Sequence, residues 1–177
     1  MRSKNTITVT LTAVFAAVYA VGVVFLAPIS FQIFQVRVAD ALLPLSMIFG
    51  WPVVLGLTIG AFVANFYGGL GPVDMIGGSL ANFLATFAAW KLVQKQGRAW
   101  RLAGVALEVL VISLIVGPYL SYLLAMPLEL GIVGVLLGSV VAIGILGSIL
   151  LIALSRERMV AMLRSYGMTI TTRQERN

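Results

Sequence analysis

The sequence predicts an all-α integral membrane protein: six transmembrane helices in a compact bundle, with both termini cytoplasmic. Three observations carry this prediction. Of 177 residues, 60% are hydrophobic and 10% charged, more apolar surface than a soluble core of this size can bury. The apolar residues fall into six runs, most of them long enough to cross a bilayer. Basic residues gather on one side of the threading that those runs define.

The first run, about 6 to 26, follows Met1-Arg2-Ser3-Lys4, which resembles the start of a signal peptide. It is about 20 residues long and no clear small-residue cleavage site ends it, so the expectation is a retained helix. The second run, 38 to 50, reaches roughly 20 Å at about 1.5 Å per residue. It therefore either crosses with help from Gln32 to Arg37 or spans incompletely. A tight turn at Gly50-Trp51-Pro52 leads into the third run, 52 to 68. The remaining runs are 72 to 93, 102 to 125 and 130 to 154. Residues 156 to 177 mix basic residues with Met159, Met162 and Leu163, which suits a cytoplasmic tail lying first as a helix on the membrane surface. One membrane domain, 1 to 177, accounts for the whole chain.

Six spans put Arg2, Lys4, Lys91, Lys95, Arg98, Arg101, Arg156, Arg158, Arg164, Arg173 and Arg176 on one side and only Arg37 on the other. The positive-inside rule makes the crowded side cytoplasmic. The net charge of +6 is thus matched to anionic lipid headgroups and not to nucleic acid. Cysteine and histidine are absent, which excludes disulfides, thiol nucleophiles and the common zinc sites. No phosphate-binding loop, metal motif or nucleophile paired with a base is present, so no cofactor, metal or catalytic residue is expected.

Small residues at four-residue spacing predict close helix contacts, because apolar side chains gain little by leaving lipid. They are Gly56, Gly60, Ala64 and Gly68 in the third run, Gly77, Ala81, Ala85 and Ala89 in the fourth, and Gly134, Gly138 and Ala142 in the sixth. The first helix has Ala13 with Ala17 and Ala16 with Ala20, a face open either to bundle packing or to a partner protein.

Polar residues between 36 and 83 are the candidate site. Arg37 and Asp40 lie three apart, close enough to pair on one helical face. Asn65 closes the third helix, and Phe66-Tyr67-Gly68-Gly69-Leu70-Gly71-Pro72 forms an outer loop before Asp74. Asp74 either complements the helix dipole or offers two acceptor oxygens to a ligand with N–H donors. Ser79 and Asn82 follow one to two turns below. Tyr119, Tyr122 and Glu129 lie at the outer end of the fifth run and the next turn, as interfacial anchors or as stacking partners for a planar ligand. Glu108 lies nearer the cytoplasm, in a structural or coupling role.

The segments RVADALLPL and FGWPVVLGLTIGAFVANFYGGLGPVDMIGGSLANFLAT resemble the QueT family, substrate-binding S components of energy-coupling factor (ECF) transporters. That resemblance implies a six-helix bundle in the cell membrane that captures a vitamin-like solute, queuine or a 7-deazaguanine precursor, from outside. It also implies a transmembrane coupling subunit and two ATPase subunits as partners. Ala13, Ala16, Ala17 and Ala20 would dock on the coupling subunit, and the stretch from Ala27 to Val36 would act as a lid. A guanine-like edge offers N1–H and an amino group that one carboxylate accepts together. Asp74 is the first choice for that contact, with Asn65 and Asn82 for the carbonyl side and a tyrosine for stacking. Two rivals stay open: an S component for another vitamin, and a small membrane enzyme acting on lipid with Asp40 and Asp74 as its acids.

Overall fold

The structure, a computed structural model, describes residues 4–30, 36–94 and 99–170. Residues 31–35, half of the expected lid, and the basic residues Arg2, Lys95, Arg98, Arg173 and Arg176 lie outside the described residues. Within them every regular element is helical. In chain order these are α1 (Lys4–Phe25), α2 (Ala27–Ser30), α3 (Val38–Phe49), α4 (Trp51–Gly68), α5 (Pro72–Val93), α6 (Ala99–Leu123), α7 (Leu128–Leu154) and α8 (Glu157–Ser165).

Among the described residues, five helices are long and apolar enough to cross a membrane: those within α1, α4, α5, α6 and α7. The second apolar run is different. Val38–Leu45 forms a 3-10 helix containing Pro44, and only Ser46–Phe49 is α-helical. At about 2.0 Å per 3-10 residue and about 1.5 Å per α residue, α3 extends roughly 22 Å, short of a hydrocarbon core of about 30 Å. Leu43 through Phe49 are all buried. The poorer hydrogen bonding of a 3-10 helix is tolerated at this depth because protein, not lipid, surrounds it.

Glycine contacts show how the chain is threaded. A Cβ at Gly56 would lie 2.8 Å from the Thr12 carbonyl oxygen, and one at Gly60 would lie 2.7 Å from that of Ala16. The partners advance together along both helices, so α1 and α4 run parallel and α3 returns the chain between them. The C-terminal segment folds back to the start: a Cβ at Gly167 would meet Ile7 Cδ1 at 3.0 Å. The beginning of α1 and the segment after α8 therefore share one end of the bundle. Gly50 turns between α3 and α4 at that end, with φ of 64° and no room for a Cβ against the Trp90 indole, 3.0 Å away.

The predicted ladders are internal. Gly56, Gly60, Ala64, Ala81, Ala85, Ala89, Gly134, Gly138 and Ala142 are all buried, while Gly68 and Gly77 are half-buried. α7 departs from α-geometry over Val140–Gly147, where it is π-helical. There it packs on α3, and a Cβ at Gly147 would lie 2.9 Å from Pro44 Cγ and 3.2 Å from the Ala41 carbonyl oxygen. At Gly144 the nearest atom to a Cβ is 3.9 Å away. Gly144→Ala is therefore expected to leave the thermal midpoint in detergent unchanged or slightly raised. Gly147→Leu is expected to lower stability by about 1–3 kcal/mol through overpacking, read in the same melting experiment.

Candidate functional site

The candidate site lies at the end of the bundle opposite Ile7 and Gly167, where α3 and α5 begin and α6 ends. Gly69 (φ 73°) and Gly71 (φ 93°) reverse the chain after α4, and Pro72 opens α5 at its first position. Asp74 is thereby set in the first turn of α5, fully buried.

Three side chains fix it. Tyr119 Oη donates to Asp74 Oδ1 at 3.0 Å. Arg37 Nη2 lies 3.9 Å from the same oxygen. Asn65 Nδ2 donates to the Asp74 backbone carbonyl at 2.8 Å. Neighbouring glycines make this possible: a Cβ at Gly78 would collide with Asn65 Nδ2, and one at Gly77 would lie 3.0 Å from the Tyr119 ring. Gly78→Ala should displace the Asn65 amide and weaken ligand binding by about tenfold, measured by calorimetric titration.

Asp40 forms a second station. Its backbone N–H donates to the Arg37 carbonyl at 2.9 Å, closing the first turn of α3. Its Oδ1 accepts a 2.6 Å hydrogen bond from Tyr19 Oη on α1. Arg37, Asp40, Gly78, Asn82 and Ser139 line a cavity of about 10 Å³, room for about one water. Any solute larger than water therefore needs the helices at this end to part before it is seated.

Two acceptors await donors. Asp74 Oδ2 and Asn65 Oδ1 are buried and have no hydrogen-bond partner among the described residues. An ionised carboxylate only accepts, and an amide oxygen only accepts. Leaving such groups unsatisfied costs about 1–3 kcal/mol each.

The family model described as QueT transporter matches residues 9–156. The chain belongs to the QueT transporter family. No curated protein and no solved structure matches it. Membership makes this a membrane transport protein for a small solute, with a transport role in place of catalysis.

The other residues expected at the site divide into three groups. Asn82 is buried beside the cavity and donates to the Leu57 carbonyl at 3.4 Å. Ser79 is buried but donates to the Met75 carbonyl of its own helix. Tyr67 and Tyr122 are 72% and 82% exposed, and Glu129 is exposed in the first turn of α7. These three are not drawn into the buried cluster, because their helix faces point outward. Tyr119, one turn before Tyr122 on α6, points inward and bonds to Asp74 instead of standing free for stacking.

Tyr19 went unrecognised in the sequence. A single tyrosine in an apolar run has no visible partner there, and Asp40 meets it only after the chain has turned back through α3. Glu108 is fully buried, with Ser46 Oγ donating to its Oε1 at 3.3 Å. It ties α6 to the α-helical turn of α3. On α1, Ala13 and Ala17 are exposed, while Ala16 faces α4 across Gly56 and Gly60 and Ala20 is half-buried.

Proposed function

We propose that this QueT family member is the substrate-binding S component of an ECF-type importer and that it captures queuine or a 7-deazaguanine precursor outside the cell. The observation that carries the reading is a pair of buried acceptors, Asp74 Oδ2 and Asn65 Oδ1, that have no hydrogen-bond partner among the described residues, with Arg37 Nη2 3.9 Å from the other Asp74 oxygen. A deazaguanine presents N–H and amino donors on one edge with a carbonyl next to them. Asp74 accepts from the donors, and Arg37 or Asn82 faces the carbonyl.

The charge pattern supports the orientation. Lys91, Arg101, Arg156, Arg158 and Arg164 belong to the end of the bundle where α1 begins, and Arg37 belongs to the other, so the positive-inside rule turns the site outward. In the plasma membrane, the protein would pass bound solute through a transmembrane coupling subunit powered by two ATPase subunits. The exposed Ala13 and Ala17 leave a close-approach strip on α1 for that coupling subunit. Only half of the four-alanine face remains for it, since Ala16 is spent on α4.

Calorimetric titration of the purified protein with queuine, its precursors, riboflavin, thiamine and folate tests the substrate. Saturable binding of a deazaguanine, with no heat from the three vitamins, is expected. Tight binding of a vitamin with no response to any deazaguanine would overturn the assignment. Copurification with a coupling subunit and ATPases tests the assembly separately.

A further inference from the structure

We infer that one face of α5 is a binding site for an anionic phospholipid, with Lys91 holding the headgroup phosphate and the rings beside it covering an acyl chain. The inference goes beyond the transport reading and does not depend on which solute is carried. Ile76, Leu80, Phe83, Phe87 and Lys91 recur every three or four residues, so they share one face of α5. Ile76 and Leu80 are exposed, Phe83 and Phe87 are half-buried, and Lys91 ends the track, exposed. From Leu80 to Lys91 the track runs roughly 16 Å along the helix, the depth of one leaflet of a hydrocarbon core about 30 Å thick. An apolar track of that length with one cation at its end complements an amphiphile with one negative head.

Aromatic packing positions the cation. Lys91 Nζ lies 4.6 Å from the centre of the Trp90 ring and 5.4 Å from that of Phe87. These rings are fixed in turn. The Trp90 indole rests on the Gly50 turn, where a Cβ would come within 3.0 Å of it. Trp51 packs on Trp90 and Phe87 with ring centres 5.3 and 5.6 Å apart, and Phe87 stacks on Phe83 at 5.7 Å. Cation–π attraction holds the ammonium from its apolar side and leaves its N–H donors to an oxygen acceptor. Among the described residues Lys91 has no carboxylate partner. Lipid phosphates stand at this depth and supply both acceptors and negative charge. A zwitterionic lipid carries its own cation beside the phosphate, so an anionic one is the better match. Trp51, itself exposed, borders the track and adds apolar surface for the chain.

The test uses tryptophan quenching in vesicles. Trp51, Trp90 and Trp100 are the three tryptophans of the chain, so Trp100→Phe confines the emission to this cluster. That protein is placed in phosphatidylcholine vesicles containing a brominated lipid, either phosphatidylglycerol or phosphatidylcholine. Brominated phosphatidylglycerol is expected to quench with about fivefold higher relative affinity. In Lys91→Gln the preference should fall to within about twofold of unity, and in Lys91→Arg it should be retained. In detergent, added phosphatidylglycerol should raise the thermal midpoint of the starting protein and not that of Lys91→Gln. Equal quenching by both lipids in the starting protein would reduce Lys91 to an ordinary interfacial lysine and overturn the inference. A preference unchanged in Lys91→Gln would assign the attraction to other basic residues and overturn the site. Quenching by neither lipid would mean that protein, such as a second copy of this chain, covers the face, and would overturn it as well.

Discussion

Replacing Asp74 with asparagine should weaken binding of a deazaguanine by about thirtyfold, close to 2 kcal/mol. The substitution keeps the shape of the side chain but exchanges an acceptor for an amide donor. If that NH2 takes the place of Oδ2, it faces the ligand's own N–H groups. If it takes the place of Oδ1, it faces the Arg37 guanidinium 3.9 Å away, a contact between two donors. Either rotamer loses a charge-assisted bond, so the loss exceeds that of a neutral hydrogen bond. Calorimetry gives the affinity, and the melting profile shows whether the fold survives. The carboxylate is fully buried, and removing its charge costs less solvation than keeping it, so the fold should hold. Unchanged affinity with an unchanged melting profile would return Asp74 to a helix-end role.

Gly60→Leu is expected to have the largest effect on stability, a loss of about 3 kcal/mol or more. The first added atom would already lie 2.7 Å from the Ala16 carbonyl oxygen and 3.2 Å from Ala16 Cα. Both belong to the backbone of α1, so no side-chain rotation can relieve the clash. The helices must separate, and lipid supplies little hydrophobic drive to hold them together once that packing is lost. Separation would also move Tyr19, whose Cβ lies 3.0 Å from the same position, and with it the hydrogen bond to Asp40. The variant should therefore show both a lowered thermal midpoint and weakened binding. A normal melting profile would show that α1 and α4 are not packed through Gly60.

These two residues differ in how legible they were. Gly60 was marked by its spacing, because a ladder of small residues is the local signature of backbone approach. Asp74 was marked by rarity, since a carboxylate in an apolar chain is costly unless it is used. Neither signal names a partner. Tyr19 and Asp40 are 21 residues apart, and Tyr119 and Asp74 are 45 apart. Their meeting depends on how α1 and α6 are rotated about their axes. Tyr119 and Tyr122 look alike in sequence at the outer end of α6, yet one is turned to Asp74 and the other outward.

The α3 segment marks the same boundary. Its apolar content and shortness were plain, and its failure to make a full-length span follows from both. Its 3-10 geometry was not, because periodicity over so few residues does not separate one helix type from another. By itself the sequence determined an apolar helical bundle, the threading of its long helices, and a short set of polar residues that are costly in an apolar chain. Only the tertiary structure decided which of those residues converge on Arg37, Asp40 and Asp74. Burial is written in local composition, whereas convergence is set by helix register, and register is fixed by contacts between glycines and backbones far apart in the chain.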